Sequence, residues 1–424
     1  MHTTHRYFLG CLTAAILLHI SPLQAQERLT LSKETAVALA LQNNMSLAAA
    51  RITVEQAEAR RTQAGRLSNP ELKIDYANDR TFNNEGEYRL GIGFEQKFPV
   101  TKRLSLLKQI ADIEIELAQS EIQNHERYLR REVETNVLII AQTTEQIELR
   151  ESQILILQQL AEFVESRVRI GEASNFEVNQ IKLELFSVHE EIHELENDRT
   201  EEIGHLRHLL GLALDTPLQI DYAYTKPKAA KQLPTVTDSL LREHPAIRQK
   251  RLLAQIAGSQ TTWAMANRWE DITVGLFLNN NRGVDQPIGR KTDNFLGLTL
   301  KVPMPIHNNN QGRIAERRLQ QRQFELELEA LVLEKRSSAH TLEIKMTNLY
   351  KQIDEYEAEV TELVDQNLRD MNDAYESGLI SLTELFRTQE QRLKIEIFQL
   401  TLLHDYEQSL VDWTATTNLK AQGS

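Results

Sequence analysis

Val133, Ile140, Ile147, Ile154, Ala161 and Val168 fall seven residues apart. Leu342, Leu349, Tyr356 and Leu363 repeat that spacing, flanked by Met346, Ile353 and Val360. A sustained seven-residue apolar period specifies helices that supercoil against neighbours. It predicts two long helices, over about 101–170 and 309–377, each running roughly 100 Å at 1.5 Å per residue. Thr101 and Asn308 to Asn310 are expected to cap their starts, and Gly171 and Gly378 to end them in the left-handed conformation. Shorter helical patterns cover 32–67, 174–211, 236–268 and 382–418. Segments 32–67 and 174–211 together match one long helix in length, as do 236–268 and 382–418. This predicts a coiled cylinder whose wall alternates whole helices with helices spliced end to end.

Between the helices the period changes to two. Leu72, Ile74 and Tyr76 alternate with Lys73, Asp75 and Ala77; Tyr88, Leu90, Ile92 and Phe94 alternate with Arg89, Gly91, Gly93 and Glu95. Ile272, Val274, Leu276 and Leu278 alternate with Thr273, Gly275 and Phe277; Leu296, Leu298, Leu300 and Val302 alternate with Gly297, Thr299 and Lys301. The predicted strands, about 71–79, 87–98, 270–279 and 294–303, suit a membrane barrel with apolar residues outward and polar or small ones inward. The connecting loops, 79–87 and 279–293, read as polar. A lipid-exposed sheet must close, because an open edge leaves backbone groups unpaired. Four strands are too few, since membrane barrels start at about eight; three copies would supply twelve. Phe98 and Trp269 are expected at the inner membrane face, and Phe82 or Phe295 near the outer one.

The halves repeat at an offset of about 200 residues. Lys97-Phe98-Pro99 matches Lys301-Val302-Pro303, Val168-Arg169-Ile170-Gly171 matches Tyr375-Glu376-Ser377-Gly378, and Asn44-Met45-Ser46-Leu47 matches His244-Pro245-Ala246-Ile247. Each half reads helix, strand, strand, long helix, turn, helix. The resulting division is a first repeat over 26–212, a linker over 213–234 with Pro217, Pro227 and Pro234, a second repeat over 235–420, and a tail over 421–424. Residues 1–25 have the order of a secretory signal: a polar start with Arg6, an apolar run from Phe8 to Ile20, and Ser21-Pro22-Leu23-Gln24-Ala25 before Gln26. No other apolar stretch approaches the ~18 residues of a spanning helix. The fold class is therefore mainly α with a small β part.

With 16 Gly and 10 Pro in 424 residues, the composition excludes collagen-like chains and favours long helices. The one cysteine, Cys11, lies in the signal, so no disulfide is expected. A formal charge of −13 argues against nucleic acid as a partner and weakly favours cations as cargo.

The order and spacing of several segments resemble the TolC-type outer-membrane efflux proteins, the outer membrane factor family, over nearly the whole mature length. They are Asn69-Pro70-Glu71-Leu72, Phe98-Pro99, Val302-Pro303-Met304-Pro305-Ile306, Asn310-Gln311-Gly312-Arg313-Ile314-Ala315-Glu316, and the tip glycines Gly171 and Gly378. The Asn-Pro-Glu-Leu and Asn-Gln-Gly-Arg segments look most like the CzcC-like branch, associated with heavy-metal cation export. The resemblance implies a homotrimer in the outer membrane of a Gram-negative bacterium. Its twelve-stranded barrel would continue as an α-helical periplasmic tunnel. The implied partners are a periplasmic adaptor and an inner-membrane pump of the RND type. Neither catalysis, a cofactor nor a resident metal is implied. The cargo stays open between metal cations and drugs.

In the family, acidic residues in the inner hairpin narrow the periplasmic entrance. By position Glu384, six residues after Gly378, would form a ring of three carboxylates, with Glu177 its counterpart six after Gly171. Such a ring favours cations, and like charges held close make it sensitive to pH. Arg387 stands where a second acid is often found, and Ile380 where some relatives carry a latch arginine. Tyr375 matches the tip pattern and could bond between neighbouring coils. Arg167, Arg169, Asn175 and Phe176, with Ser377, Leu379 and Ser381, are candidates for adaptor docking.

Two rival readings remain. One is an exported coiled-coil scaffold without a pore. The other is a zinc hydrolase at His189-Glu190-Glu191-Ile192-His193, which fits H-E-x-x-H. That motif lies on a coiled helix whose face is Ile181, Val188 and Leu195, putting the histidines at or beside the packing seam, without a third ligand or a cleft.

Overall fold

The computed structural model describes residues 28–81, 85–227, 233–285 and 287–419. The signal segment with Cys11, Phe82, part of the linker and the tail 421–424 lie outside the described residues.

The chain begins with β1 (Leu29–Leu31), α1 (Lys33–Asn43) and α2 (Met45–Gln63). The first hairpin is β2 (Glu71–Asn78) and β3 (Tyr88–Phe98), followed by α3 (Arg103–Arg169) and α4 (Asn175–Leu210). After β4 (Leu218–Ile220) come α5 (Asp238–Leu241) and α6 (Pro245–Ala266). The second hairpin, β5 (Ile272–Asp285) and β6 (Gly289–Lys301), leads into α7 (Gln311–Glu359), α8 (Thr361–Glu376) and α9 (Leu382–Thr417).

Two expected helices are interrupted at equivalent positions. Asn44 stops α1 and starts α2: its side chain accepts from Leu47 N (2.9 Å), while its Nδ2 donates to Leu209 O (3.0 Å). His244 does the same before α6, its Nδ1 accepting from Ala246 N (3.2 Å), with Pro245 in the first turn, where a missing N–H costs nothing. Heptad spacing does not record such caps, because the apolar period runs on through them. Between α7 and α8 only Val360 departs from helix, and the hydrogen bonds Val360 N→Tyr356 O and Val364 N→Val360 O carry the ladder across.

The helices form a layer. α2 packs on α3, α3 on α6 and α6 on α7 at the strand end; toward the other end α4 packs on α3, and α9 lies between α3 and α7–α8. The end of α9 meets the start of α6 at points two turns apart on α3. Ser120 Oγ donates to Pro245 O (3.0 Å), and Arg127 donates to Ala415 O in the last turn of α9. A cation at that position also complements the carbonyl end of the helix. Midway, α1, the first turn of α2, α3 and α4 enclose a core around Val37, Leu47, Val133, Val137 and Leu206. A short parallel pair covers it, Leu29–Leu31 on Leu218–Ile220, which is too brief for alternation to reveal.

The strands make one four-stranded antiparallel sheet in the order β2-β3-β5-β6. The second hairpin is longer than its apolar residues indicate. Asn279 to Asp285 and Gly289 to Asp293, read as loop, are paired strand, with Asn280 Nδ2 donating to Asn294 Oδ1 (2.7 Å). Polar residues can extend a ladder wherever both faces remain wet. The expected side-chain caps are also absent. Lys102 precedes α3 without a capping bond, and Asn310 is left-handed, its Nδ2 donating to Ala264 O (2.9 Å) at the end of α6.

Candidate pore entrance and membrane-facing sheet

Register assigns the two faces of the sheet. Leu72–Phe94–Leu276–Leu298 and Ile74–Ile92–Leu278–Leu296 run across it as paired positions. With Tyr76, Leu90, Val274 and Leu300 they form one continuous apolar face, all of it exposed. A patch of this extent is not a feature of a water-soluble monomer surface. The opposite face carries Lys73, Asp75, Glu95, Lys97, Thr273, Thr299 and Lys301. There Glu95 binds Lys73 (2.8 Å) and, across β5, Lys301 (2.9 Å). Phe277 also lies on this face, its ring over Gly297, where a Cβ would meet it at 2.3 Å.

The register also fixes the face on which Phe295 lies. Phe295 pairs with Asn279 and shares its parity with Gly297 and Thr299, so it belongs to the polar face, six residues before the end of β6. An odd–even slip of one residue is enough to exchange faces. Phe98 pairs with Ile272 on the apolar side at the helical end of the sheet, and Trp269 lies three residues further, half exposed. Arg103 Nε and Asp271 Oδ1 join at 2.8 Å beneath them.

Both outer edges of the sheet, β2 and β6, lack a strand partner among the described residues. The helical edges below match them. α2 exposes Met45 and Ile52, and α7 exposes Leu319, Leu326 and Leu333, each seven residues apart. Further down, α4 exposes Leu183 and Phe186, and α8 exposes Leu363. Sheet and helix layer therefore present unfinished margins on the same two sides.

At the far end lie the two hairpin tips. Gly171 (φ +82°) and Gly378 (φ +72°) are left-handed, and each tip closes with the same pair of bonds. Gly171 N donates to Val168 O and Glu172 N to Arg167 O; Gly378 N donates to Tyr375 O and Leu379 N to Ala374 O. This double bond pattern satisfies carbonyls left over at a helix end, and a glycine makes it inexpensive. Ser174 and Ser381 then cap α4 and α9, accepting from Glu177 N and Glu384 N. The signal S-x-x-E stands in both segments, Ser174-Asn175-Phe176-Glu177 and Ser381-Leu382-Thr383-Glu384. It is the sequence signature of a capping box.

The glutamates then diverge. Glu384 Oε2 accepts from Ser381 N (2.9 Å) and Ser381 Oγ (3.0 Å), completing the box. The Ser381 backbone and side-chain donors hold its carboxyl below the usual carboxylate range, so it is ionised at neutral pH. Glu177 instead accepts from the Tyr375 hydroxyl (3.4 Å), a bond from one hairpin to the other. Tyr375 is buried, and burial, with Glu177 beside it, pushes its pKa up to about 12. Phe163 meets its ring edge-on at 6.4 Å, and Arg167 lies over Phe163 while pairing with Glu172 (3.6 Å).

Arg387 is exposed one turn beyond Glu384 and makes no ion pair among the described residues. Phe176 and Leu379 are exposed, with Arg169, Asn175, Ser377 and Ser381 also on the tip surfaces; Ile380 packs against the tip core. The histidines of the H-E-x-x-H segment do not lie at the seam. His189 and His193 both face outward from α4, while Val188 and Ile192 are buried. Among the described residues no group of three or more His, Cys, Asp or Glu converges, and no helix is long and apolar enough to cross a membrane.

Residues 36–212 match the sequence pattern of the outer membrane efflux protein family. No curated protein matches the sequence. Among solved structures the fold is similar to that of CusC, described for its transmembrane channel formation, at 16% identity and a TM-score of 0.76 over 91% of both chains. It is also similar to the CmeC outer membrane channel of Campylobacter jejuni, at 13% identity and a TM-score of 0.72 over 92% of this chain and 87% of that one. The outer membrane protein VceC of Vibrio cholerae aligns at 16% identity and a TM-score of 0.72 over 92% and 96%.

Proposed function

We propose that the chain is a member of the outer membrane efflux protein family, on the match of residues 36–212 and the likeness of its fold, and that it is the outer-membrane conduit of a tripartite efflux system. One observation carries the reading: an exposed apolar sheet face bounded by two unpaired edges. In lipid those edges must pair. The four strands alternate in direction, so β6 of one copy can join β2 of the next antiparallel. The exposed stripes of α7 and α2 meet on the same side. Three copies close a twelve-stranded barrel, wide enough for an open lumen, and the helix layers close beneath it as a tunnel. The two repeats, 26–212 and 235–420, joined by the linker 213–234, each supply one sixth of both walls.

Passage through this tunnel is passive, with no catalytic group and no cofactor. Energy comes from an inner-membrane pump of the RND type, and the hairpin tips dock its periplasmic adaptor through Arg167, Arg169, Asn175, Phe176, Ser377, Leu379 and Ser381. At the entrance the Tyr375–Glu177 bond fastens one hairpin to the other, and three copies of Glu384 form a carboxylate ring that favours cations. Arg387 moderates that charge. The cargo is then heavy-metal cations, with drugs as the second reading. The test is conductance in planar bilayers together with the sensitivity of a strain lacking the protein. Ion conductance and toxin sensitivity are expected. A non-conducting product, with sensitivity unchanged where no redundant channel exists, would favour the pore-free scaffold.

A further inference from the structure

The H-E-x-x-H segment holds a pairing that the hydrolase reading does not use. His189 and His193 are four residues apart on α4, so they stand one above the other on the same side of the helix. Each has its Nδ1 engaged. His189 Nδ1 lies 2.7 Å from Leu185 O, and His193 Nδ1 lies 3.3 Å from Glu196 Oε2. A carbonyl and a carboxylate can only accept, so both Nδ1 atoms carry the proton. In the neutral imidazole this leaves the Nε2 lone pair free on both rings. A carbonyl or carboxylate behind a histidine is the outer-shell arrangement that orients metal-binding imidazoles.

We propose that the Nε2 atoms of His189 and His193 form a clamp for a divalent transition-metal ion on the flank of α4. Two protein ligands leave the remaining coordination positions to water, which separates the clamp from a closed structural site and from a protease centre. Glu190 and Glu194 flank the pair and keep the local field negative; Glu191 is held by Arg150 (2.7 Å). The next histidine along α4 differs. His205 uses both nitrogens, Nε2 near Glu132 (3.5 Å) and Nδ1 near Asn136 (3.4 Å), so it presents no free lone pair. The clamp belongs to a single protomer's helix and stands independently of the channel reading.

The experiment titrates the purified full-length protein in detergent with Cu²⁺, Zn²⁺ and Mg²⁺ alone. One Cu²⁺ per chain is expected, bound more tightly than Zn²⁺, with Mg²⁺ not competing. The copper EPR spectrum should carry coupling to two imidazole nitrogens. Either His189→Ala or His193→Ala should weaken Cu²⁺ binding about tenfold or more, since outer-shell losses alone reach that size, and the double variant should be little worse than either. Glu196→Gln should weaken it less, and His205→Ala should leave it unchanged. Affinity within twofold of wild type in either single alanine variant, loss of binding in His205→Ala, or a spectrum without two-nitrogen coupling would each overturn the clamp. All four side chains are exposed or half-exposed, so folding is preserved, and circular dichroism of each variant checks this.

Discussion

Replacing Tyr375 with phenylalanine removes one hydroxyl and keeps the ring against Phe163. The lost interaction is the single hydrogen bond of Tyr375 to Glu177, at 3.4 Å. A bond to a charged acceptor is worth about 1.5–3 kcal/mol at good geometry, and this one is long, so about 1 kcal/mol per chain is the working figure. If each protomer opens independently, the open fraction rises about fivefold; if three open together, the same change compounds to about 150-fold. The assay is closed-state conductance of the purified protein in planar bilayers. Tyr375→Phe should raise it within that range, and Glu177→Gln should raise it less, because a neutral amide oxygen still accepts the bond. Wild-type leakage in Tyr375→Phe would show that the hairpins are held by packing, and the fastening role of the bond would have to be abandoned.

Three further outcomes follow from other parts of the molecule. Leu298→Lys puts a charge on the apolar face of the sheet and should cost about 2–4 kcal/mol near the bilayer midplane, whereas Thr299→Lys on the polar face should be nearly neutral; equal yields of heat-resistant oligomer would refute the face assignment. Burial, with Arg127 and Lys335 nearby, pushes His244 down to about 4, so the unfolded chain binds more protons between that value and about 6.5 and stability should fall on acidification through this window, by on the order of 3 kcal/mol in total. Thermal unfolding of His244→Asn, which keeps a capping oxygen, should lack that slope, and an unchanged slope would acquit His244. Glu384→Gln should reduce cation selectivity at neutral pH; in the wild type, selectivity should be lost as acidification protonates the carboxyls, and identical selectivity in the variant would remove Glu384 from the entrance.

Much of the helical layer was legible because a seven-residue apolar period is long and redundant. Val133, Ile140 and Ile147 are all buried. The breaks at Asn44 and His244 were not, since a cap is a local hydrogen bond that leaves the period intact. Strand ends failed for a related reason. Asn279 to Asp285 pair through backbone groups that side-chain polarity does not report. Phe295 shows that an aromatic near an expected interface says little until register fixes its parity. At the hairpin tips, Glu177 and Glu384 stand at matching positions in the sequence, but their different bonds depend on Tyr375 arriving from a segment 198 residues away. The outward turn of His189 and His193 rests likewise on which side of α4 meets α3.

One chain leaves its sheet open, and in the proposed assembly further copies complete it. Native mass spectrometry of the purified protein released from detergent measures this directly. Three chains per particle, persisting until the sheet unfolds, is the predicted result. A single folded chain that remains dispersed in water without detergent would contradict it.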